Sequence, residues 1–354
     1  MTLRQRWADR LRLIQEQSLT RELLCLEWIG PTRALLDGQR MEVFSSNDYL
    51  GLASHPDMLT AWRGGGSGSS RLIAGTRHVH AELEAELEER YGRPALVFSS
   101  GYQANIAVMA TLFDSECQVG SDRLNHASII DGLRLSACGV QVVSHGGSPP
   151  DVDVHVVEGL YSMDGDCLDL HQFKDRFLVV DEAHAVGCMG PNGMGASAHQ
   201  GVDADVIIGT FGKAYGAAGA FVICDQDAKE LLISAGRSFV YTTALAESAA
   251  SAALMGLRLA DDERRYRLSE NTRQFRSGLK DLGLVPLGTQ HIVPVVLGAR
   301  TMDVASRLRN LGVYVPGIRF PTVEKGSERL RFSLSAEHSP DQVNSVLERL
   351  NKCI

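Results

Sequence analysis

Apolar residues recur at helical spacing in some stretches of this chain and run unbroken in others. Leu3, Trp7, Leu11 and Ile14 share one face with Arg and Gln between them, so the spacing predicts a helix over residues 3–27. Pro31 and Asp37-Gly38 then break the chain and set a turn. Residues 43–52 read as a short strand running into a loop. A Gly/Ser stretch, Gly64 to Ser70, follows, either as a flexible linker or as a backbone-rich loop near a ligand. Val79 to Tyr91 carries Leu83 and Leu87 at i, i+4 with acids on the other face, which predicts a second helix. Ala95–Phe98 is a strand whose Ser99-Ser100-Gly101-Tyr102 turn opens a helix from Gln103 to Leu112.

Short, nearly continuous apolar runs at 117–120, 140–144, 154–157, 178–181, 206–210 and 220–224 predict further strands. Unbroken apolar strands alternating with helices argue for a mostly parallel sheet covered on both faces. One link is too short for that scheme. Only about ten residues, including Gly146-Gly147 and Pro149-Pro150, join the strands ending at Ser144 and starting at Val154. A crossover through a helix needs a dozen or more, so a helix-free loop is expected there. Ala244 to Leu282 reads as long helical sequence. Beyond Gly283 the pattern becomes strand–helix–strand–strand–helix, with strands at 292–297, 313–315 and 330–334 and helices at 302–311 and 340–350. The expectation is an α/β protein in three parts: an N-terminal helical segment (1–40), a large domain (41–275) and a small C-terminal α+β domain (276–354).

Composition narrows the function. The 354 residues are 44% hydrophobic, enough for a large buried core. A net charge of −8 without a basic stripe points away from nucleic acid. Seven scattered cysteines contain no C-x-x-C pair, so neither a disulfide framework nor a zinc site is expected, and no metal. Met1 to Arg12 is charged and lacks the apolar core of a signal peptide, and no apolar run is long enough to span a membrane. A cytoplasmic setting is the expectation.

The chemistry concentrates on Gly209-Thr210-Phe211-Gly212-Lys213-Ala214-Tyr215-Gly216, a lysine set among glycines just after a strand. Small neighbours clear the space a lysine needs to bond a cofactor covalently. A loop lysine would be the plainer reading, were it not for the preceding strand. That strand ends in Asp181-Glu182-Ala183-His184. A carboxylate at one strand end and a lysine after the next suit pyridoxal 5'-phosphate (PLP), whose pyridine nitrogen needs an acidic partner. Ligands of open parallel sheets bind at those carboxyl ends. Glu182 reads better as a cap or incidental charge than as chemistry. The Ser100-Gly101-Tyr102 helix start suits a phosphate, although serine caps many helices. His126, Glu158, Ser162 and Thr210 also fall at or near strand ends.

Six stretches carry a family resemblance: F-S-S-N-D-Y-L-G-L (44–52), D-R-L-N-H-A-S (122–128), E-G-x-Y-S-M-D-G-D (158–166), D-E-A-H-A-x-G (181–187), T-F-G-K-A-x-G (210–216) and R-F-P-T-V (319–323). With them the chain resembles the α-oxoamine synthases, PLP enzymes of the aspartate-aminotransferase-like fold (fold type I), from about Phe44 to Leu334. The resemblance implies that Lys213 carries PLP and takes the α-proton of the amino acid. It implies Asp181 on the pyridine nitrogen, His184 on the ring hydroxyl and His126 stacked on the ring. Gly101, Tyr102, Ser162 and Thr210 would hold the cofactor or its phosphate. Thr242 would reach the phosphate of a partner subunit in a homodimer. Arg331 would grip the amino-acid carboxylate through a bidentate pair. Asn47 would approach that carboxylate, with Arg21 and Thr322 on the acyl substrate.

Within this family the chain is most similar to enzymes that condense L-alanine with a pimeloyl thioester of CoA or acyl carrier protein. Glycine-using members are the nearest alternative, and a nucleotide-binding protein is a poor one, since the lysine stretch lacks G-x-x-x-x-G-K-[ST]. Two stretches are shorter than the family pattern, near 60–68 and 145–153, and Thr242-Thr243-Ala244-Leu245 lacks the proline of the pimeloyl-using form.

Overall fold

The structure is a computed structural model that describes residues 1–17, 19–61 and 64–354. Its centre is a seven-stranded sheet. Across the sheet the strands run Ala95–Phe98, Ala220–Ile223, Val206–Thr210, Phe177–Asp181, Val154–Glu158, Gln118–Asp122 and Gly139–Val143. Ala220–Ile223 is antiparallel to both of its neighbours, and the other neighbouring pairs are parallel. The inner strands are buried on both faces, which is why they read as continuous apolar runs. Leu178, Val180 and Ile207 pack into one core, and Val179, Val206 and Ile208 into the core on the opposite face. The edge strand behaves differently, leaving Val140 and Val142 exposed.

The link from Gly139–Val143 to Val154–Glu158 contains no helix, as its length required. The Gly64–Ser70 stretch is not a free linker. Ser67 Oγ donates to the Leu245 carbonyl, Arg77 donates to the Ser67 carbonyl, and Ala244 N donates to Ser69 O. Trp62 and Arg63, within the shortened region near 60–68, lie outside the described residues.

Two helix expectations need correction. The N-terminal helix spans Leu3–Glu16 rather than 3–27. A capping box between Thr2 and Gln5 starts it, but none of its residues is buried, so no packing carries it further. Ser18 lies outside the described residues. Glu27–Gly30 is instead a strand paired with Arg33–Leu36, and the 1–40 segment is therefore helical only in its first half. The long helical stretch from 244 breaks into Glu247–Leu259 and Asp262–Asp281. Asp261 caps the second helix by accepting from Arg264 N at 2.8 Å, and a cap is where a helix starts afresh.

Two small sheets flank the second helix. Ile292–Val296, Arg329–Ser333 and Gly317–Ile318 form one. Glu27–Gly30, Arg33–Leu36, Gln39–Val43 and Val313–Tyr314 form the other, so the two ends of the chain share a sheet. Phe275 stacks on Phe44 (6.2 Å) and packs at a tilt against Phe332 (4.9 Å), joining the N-terminal strands, the helix and the C-terminal sheet.

Candidate functional site

Asp181 and Thr210 close adjacent parallel strands, and Lys213 follows three residues after the second. This register brings the Asp181 carboxyl and the Lys213 amine to one cavity of about 220 Å³. Glycines shape the lysine loop, but not simply by clearing room for the amine. A Cβ on Gly209 would strike the Phe221 ring (2.2 Å), and one on Gly216, whose φ is +64°, would strike Ala53 N (2.4 Å). Of the three, only Gly212 has room for a Cβ, which would sit in ordinary contact with Thr210 Oγ1 at 3.4 Å. Two of the three glycines therefore serve packing, and one serves the loop beside the lysine.

Burial lowers the Lys213 pKa to about 8, while the carboxylates of Asp181 and Glu158 oppose the fall. At pH 7 about a tenth of this amine is unprotonated, far more than for an ordinary lysine. Glu158 ends the next strand in register with Asp181 and lines the same cavity. Burial first, and the Asp181 charge second, hold its carboxyl well above the usual range. His184 is held well below the ordinary histidine range by burial and then by the Lys213 charge. Its Nδ1 lies 2.6 Å from Tyr49 Oη, and Tyr49 Oη also donates to Asn47 Oδ1 at 3.1 Å. Behind Tyr49 sits His291, ring centroids 4.2 Å apart.

Arg331 is 6% exposed and has no carboxylate partner among the described residues. Its guanidinium donates to Ser162 O and Ser333 Oγ, and more distantly to Asn47 Oδ1 at 3.5 Å. Its charge helps to lower the Lys213 pKa, which places it near the amine. A buried guanidinium without a counter-ion is costly, and a bound carboxylate relieves that cost. The neighbouring Arg329 is different, being paired to Asp164 at 2.6 Å.

At the other end of the cavity, the Gly101–Leu112 helix starts after Ser100, whose side chain accepts from Gln103 N. Gly101 and Tyr102 line the cavity at this helix N-terminus, where backbone donors favour an anion. Thr210 sits beside Gly101, and its hydroxyl donates to Gly219 O at 3.0 Å. His126 caps the following helix and lies edge-on to Tyr102. A carboxyl at a strand end, an amine of lowered pKa, two histidines and a helix N-terminus thus line one cavity. This donor set fits PLP.

Not every expected residue reaches the cavity. Arg21 and Thr322 are exposed, and the nearest link between their segments is Arg319 donating to Thr20 O. Thr242 accepts from Gln103 Nε2 of its own chain at 3.2 Å. Ser162 meets Arg331 through its carbonyl, and Asn47 stands between Tyr49 and Arg331. Glu182 turns away from the cavity. It accepts from Ala196 N, Ser197 N and Ser197 Oγ at 2.7–2.8 Å and caps the Ala196–Gln200 turn. Asn105 and Ser128 line the cavity although sequence reasoning passed over both. The D-R-L-N-H-A-S stretch contained Ser128, but nothing in local pattern marked Asn105 as more than a helix residue.

Residues 40–350 match the family model described as aminotransferase class I and II. The chain is 39% identical to 8-amino-7-oxononanoate synthase of Pseudomonas putida (strain GB-1), with 98% of this chain and 96% of that one covered. It is similar in structure to a serine palmitoyltransferase from S. paucimobilis carrying bound PLP and myriocin, with a TM-score of 0.92 and 29% identity. That match covers 100% of this chain and 98% of the other. A structure of 8-amino-7-oxononanoate synthase from Francisella tularensis matches with a TM-score of 0.76 and 27% identity over 88% of this chain and 97% of that one.

Proposed function

The chain belongs to the aminotransferase class I and II family and is a PLP-dependent acyltransferase; from that premise we propose that it condenses L-alanine with a pimeloyl thioester. The products are 8-amino-7-oxononanoate, CO2 and the free thiol of CoA or acyl carrier protein, a step of biotin biosynthesis. The observation that carries this reading is the pairing of Lys213, an amine near pKa 8, with Arg331, a buried guanidinium awaiting a carboxylate. The 39% identity to a named 8-amino-7-oxononanoate synthase supports the choice of substrates.

When bound, PLP supplies an electron sink for the bond broken at the amino acid's α-carbon. Lys213 Nζ anchors the cofactor and, once released by the amino acid, takes the α-proton. Arg331 holds the amino-acid carboxylate and so fixes which α-bond faces the lysine. Asp181 would keep the pyridine nitrogen protonated, His184 would hydrogen-bond the ring hydroxyl, and His126 would cover the ring face. Gly101, Tyr102, Ser162 and Thr210 would hold the cofactor or its phosphate, with Thr242 of a second subunit reaching the phosphate in a homodimer. Asn47 would approach the amino-acid carboxylate, with Arg21 and Thr322 on the acyl substrate. The reaction is proposed to run in the cytoplasm.

The test offers alanine, glycine or serine, each with pimeloyl-, acetyl-, succinyl- or palmitoyl-CoA, and follows thiol release. Alanine with pimeloyl-CoA is expected to turn over fastest. Turnover with glycine and acetyl-CoA, or serine and palmitoyl-CoA, but none with the expected pair, would overturn the assignment.

A further inference from the structure

Four polar side chains at the cavity wall form one directional chain of hydrogen bonds. Asn105 Nδ2 lies 2.7 Å from Asp181 Oδ2 and 2.8 Å from Ser128 Oγ. Ser128 Oγ lies 2.7 Å from His126 Nδ1. Asn105 is 2% exposed and Ser128 is fully buried, so the middle of this chain is shielded, while His126 at its end is exposed. The chemistry of each group fixes the direction. An amide nitrogen only donates, and it has two hydrogens, which go to Asp181 and Ser128. Turning the amide over would set its oxygen against the Asp181 carboxyl, acceptor against acceptor. Ser128 Oγ, having accepted from Asn105, has its single hydrogen left for His126 Nδ1. Backbone Ser128 N also points at Nδ1, at 3.3 Å. Nδ1 is therefore the acceptor, and the imidazole proton sits on Nε2.

We propose that Asn105 is the positioning residue of this site: through one amide group it holds the Asp181 carboxyl and, by way of Ser128, sets the tautomer and orientation of the His126 ring. The inference rests on the PLP reading above and deepens it. The two side chains meant for the pyridine nitrogen and the ring face come from different strands, Phe177–Asp181 and the loop after Gln118–Asp122. Asn105 stands on the Gly101–Leu112 helix, whose N-terminus forms the phosphate end. One rigid helix thus ties the phosphate anchor to both sides of the ring. Asp181 receives a second fixed donor, Ala183 N at 2.9 Å on Oδ1, so the carboxyl cannot rotate while Asn105 holds the other oxygen. The amide's own oxygen finds no partner among the described residues. A buried acceptor left unpaired costs about 1–3 kcal/mol, a cost that core packing alone would not select.

The test uses full-length wild type, N105A, S128A and S128T, each stripped of cofactor and reconstituted with PLP. Asn105→Ala is expected to weaken PLP binding about tenfold, as loss of one hydrogen bond to a charged group implies, and to move the pH midpoint of the bound cofactor's visible band. Nitrogen-15 NMR of the His126 ring, assigned by difference with H126Q in the cofactor-free protein, is expected to show the Nε2–H form. S128A should mix the tautomers and S128T restore the wild-type signal, which a purely structural role would not require. Wild-type PLP affinity and visible band in N105A, or an unchanged His126 signal in S128A, overturns the inference. S128A and S128T read the same chain if N105A does not fold. Wild-type protein that takes up no PLP overturns the functional reading itself, whereas the NMR arm still judges the chain of hydrogen bonds.

Discussion

Asp181 and Glu182 are adjacent acids in one motif, and their substitutions should fail differently: only that of Asp181 should reach the chemistry. Glu182 is fully buried and accepts three hydrogen bonds, from Ala196 N, Ser197 N and Ser197 Oγ. Its pocket is tight: a Cβ on Gly159 would lie 2.1 Å from Glu182 Oε2, and one on Gly195 would lie 2.7 Å from its Cδ. Removing the carboxylate in E182A strands three buried donors at about 1–3 kcal/mol each. Partial relief by water entering the void brings the expected loss to about 3–6 kcal/mol. E182Q keeps an oxygen but turns an NH2 toward a donor, for a loss of about 1–3 kcal/mol. Urea unfolding should therefore show falling midpoints in the order wild type, E182Q, E182A, while folded E182Q still binds PLP with its visible band unmoved. D181N should cost about as much stability as E182Q, since Ala183 N and Asn105 Nδ2 already donate to its two oxygens and its new NH2 must face one of them, but it should also lose about 10²–10³ in turnover. An E182Q protein of wild-type stability with a shifted cofactor band would refute the division of labour argued here.

The other substitutions and titrations test single groups. R331A should raise the KM for the amino acid about a hundredfold with PLP still bound, and R331K should recover little, because a point charge replaces a bidentate fork. The rate should rise with pH through an acid limb near 8, where Lys213 loses its proton; a limb near the ordinary lysine value would refute the role of burial. His145 lies between Asp122 (3.0 Å) and Asp166 (2.8 Å), whose hydrogen bonds raise its pKa from 6.5 to about 10. A raised folded-state pKa stabilises fully below the unfolded value and is lost as pH climbs through the folded one. H145Q should therefore cost about 2 kcal/mol at pH 6 and almost nothing above pH 10, read as the gap between urea midpoints.

The fold was legible wherever burial was symmetric. Strands such as Phe177–Asp181 and Val206–Thr210 are covered on both faces, so every position is apolar and the run stands out locally. The missing helix before Val154 was legible too, because chain length alone forbids it. Expectations failed where local periodicity had no tertiary partner. Leu3, Trp7, Leu11 and Ile14 do share a helix, yet it ends at Glu16 because their face stays exposed and unpacked among the described residues, and Glu27–Gly30 pairs with a neighbouring strand instead.

The candidate site divides in the same way. The sequence alone determined that an acid, a histidine and a glycine-flanked lysine follow neighbouring apolar strands, and that their motifs resemble one enzyme family. Those facts are local, since residue type and spacing along a strand do not depend on distant contacts. Tertiary structure decided which adjacent acid faces the cavity, since only the turn after Asp181 sends Glu182 to the Ala196–Gln200 helix. It decided that Gly209 and Gly216 serve packing, that Arg331 is buried without a counter-ion among the described residues, and that Asn105 joins Asp181 to Ser128. Each of these depends on contacts between segments remote in sequence, where burial and the direction of a hydrogen bond, rather than residue identity, determine what a side chain does.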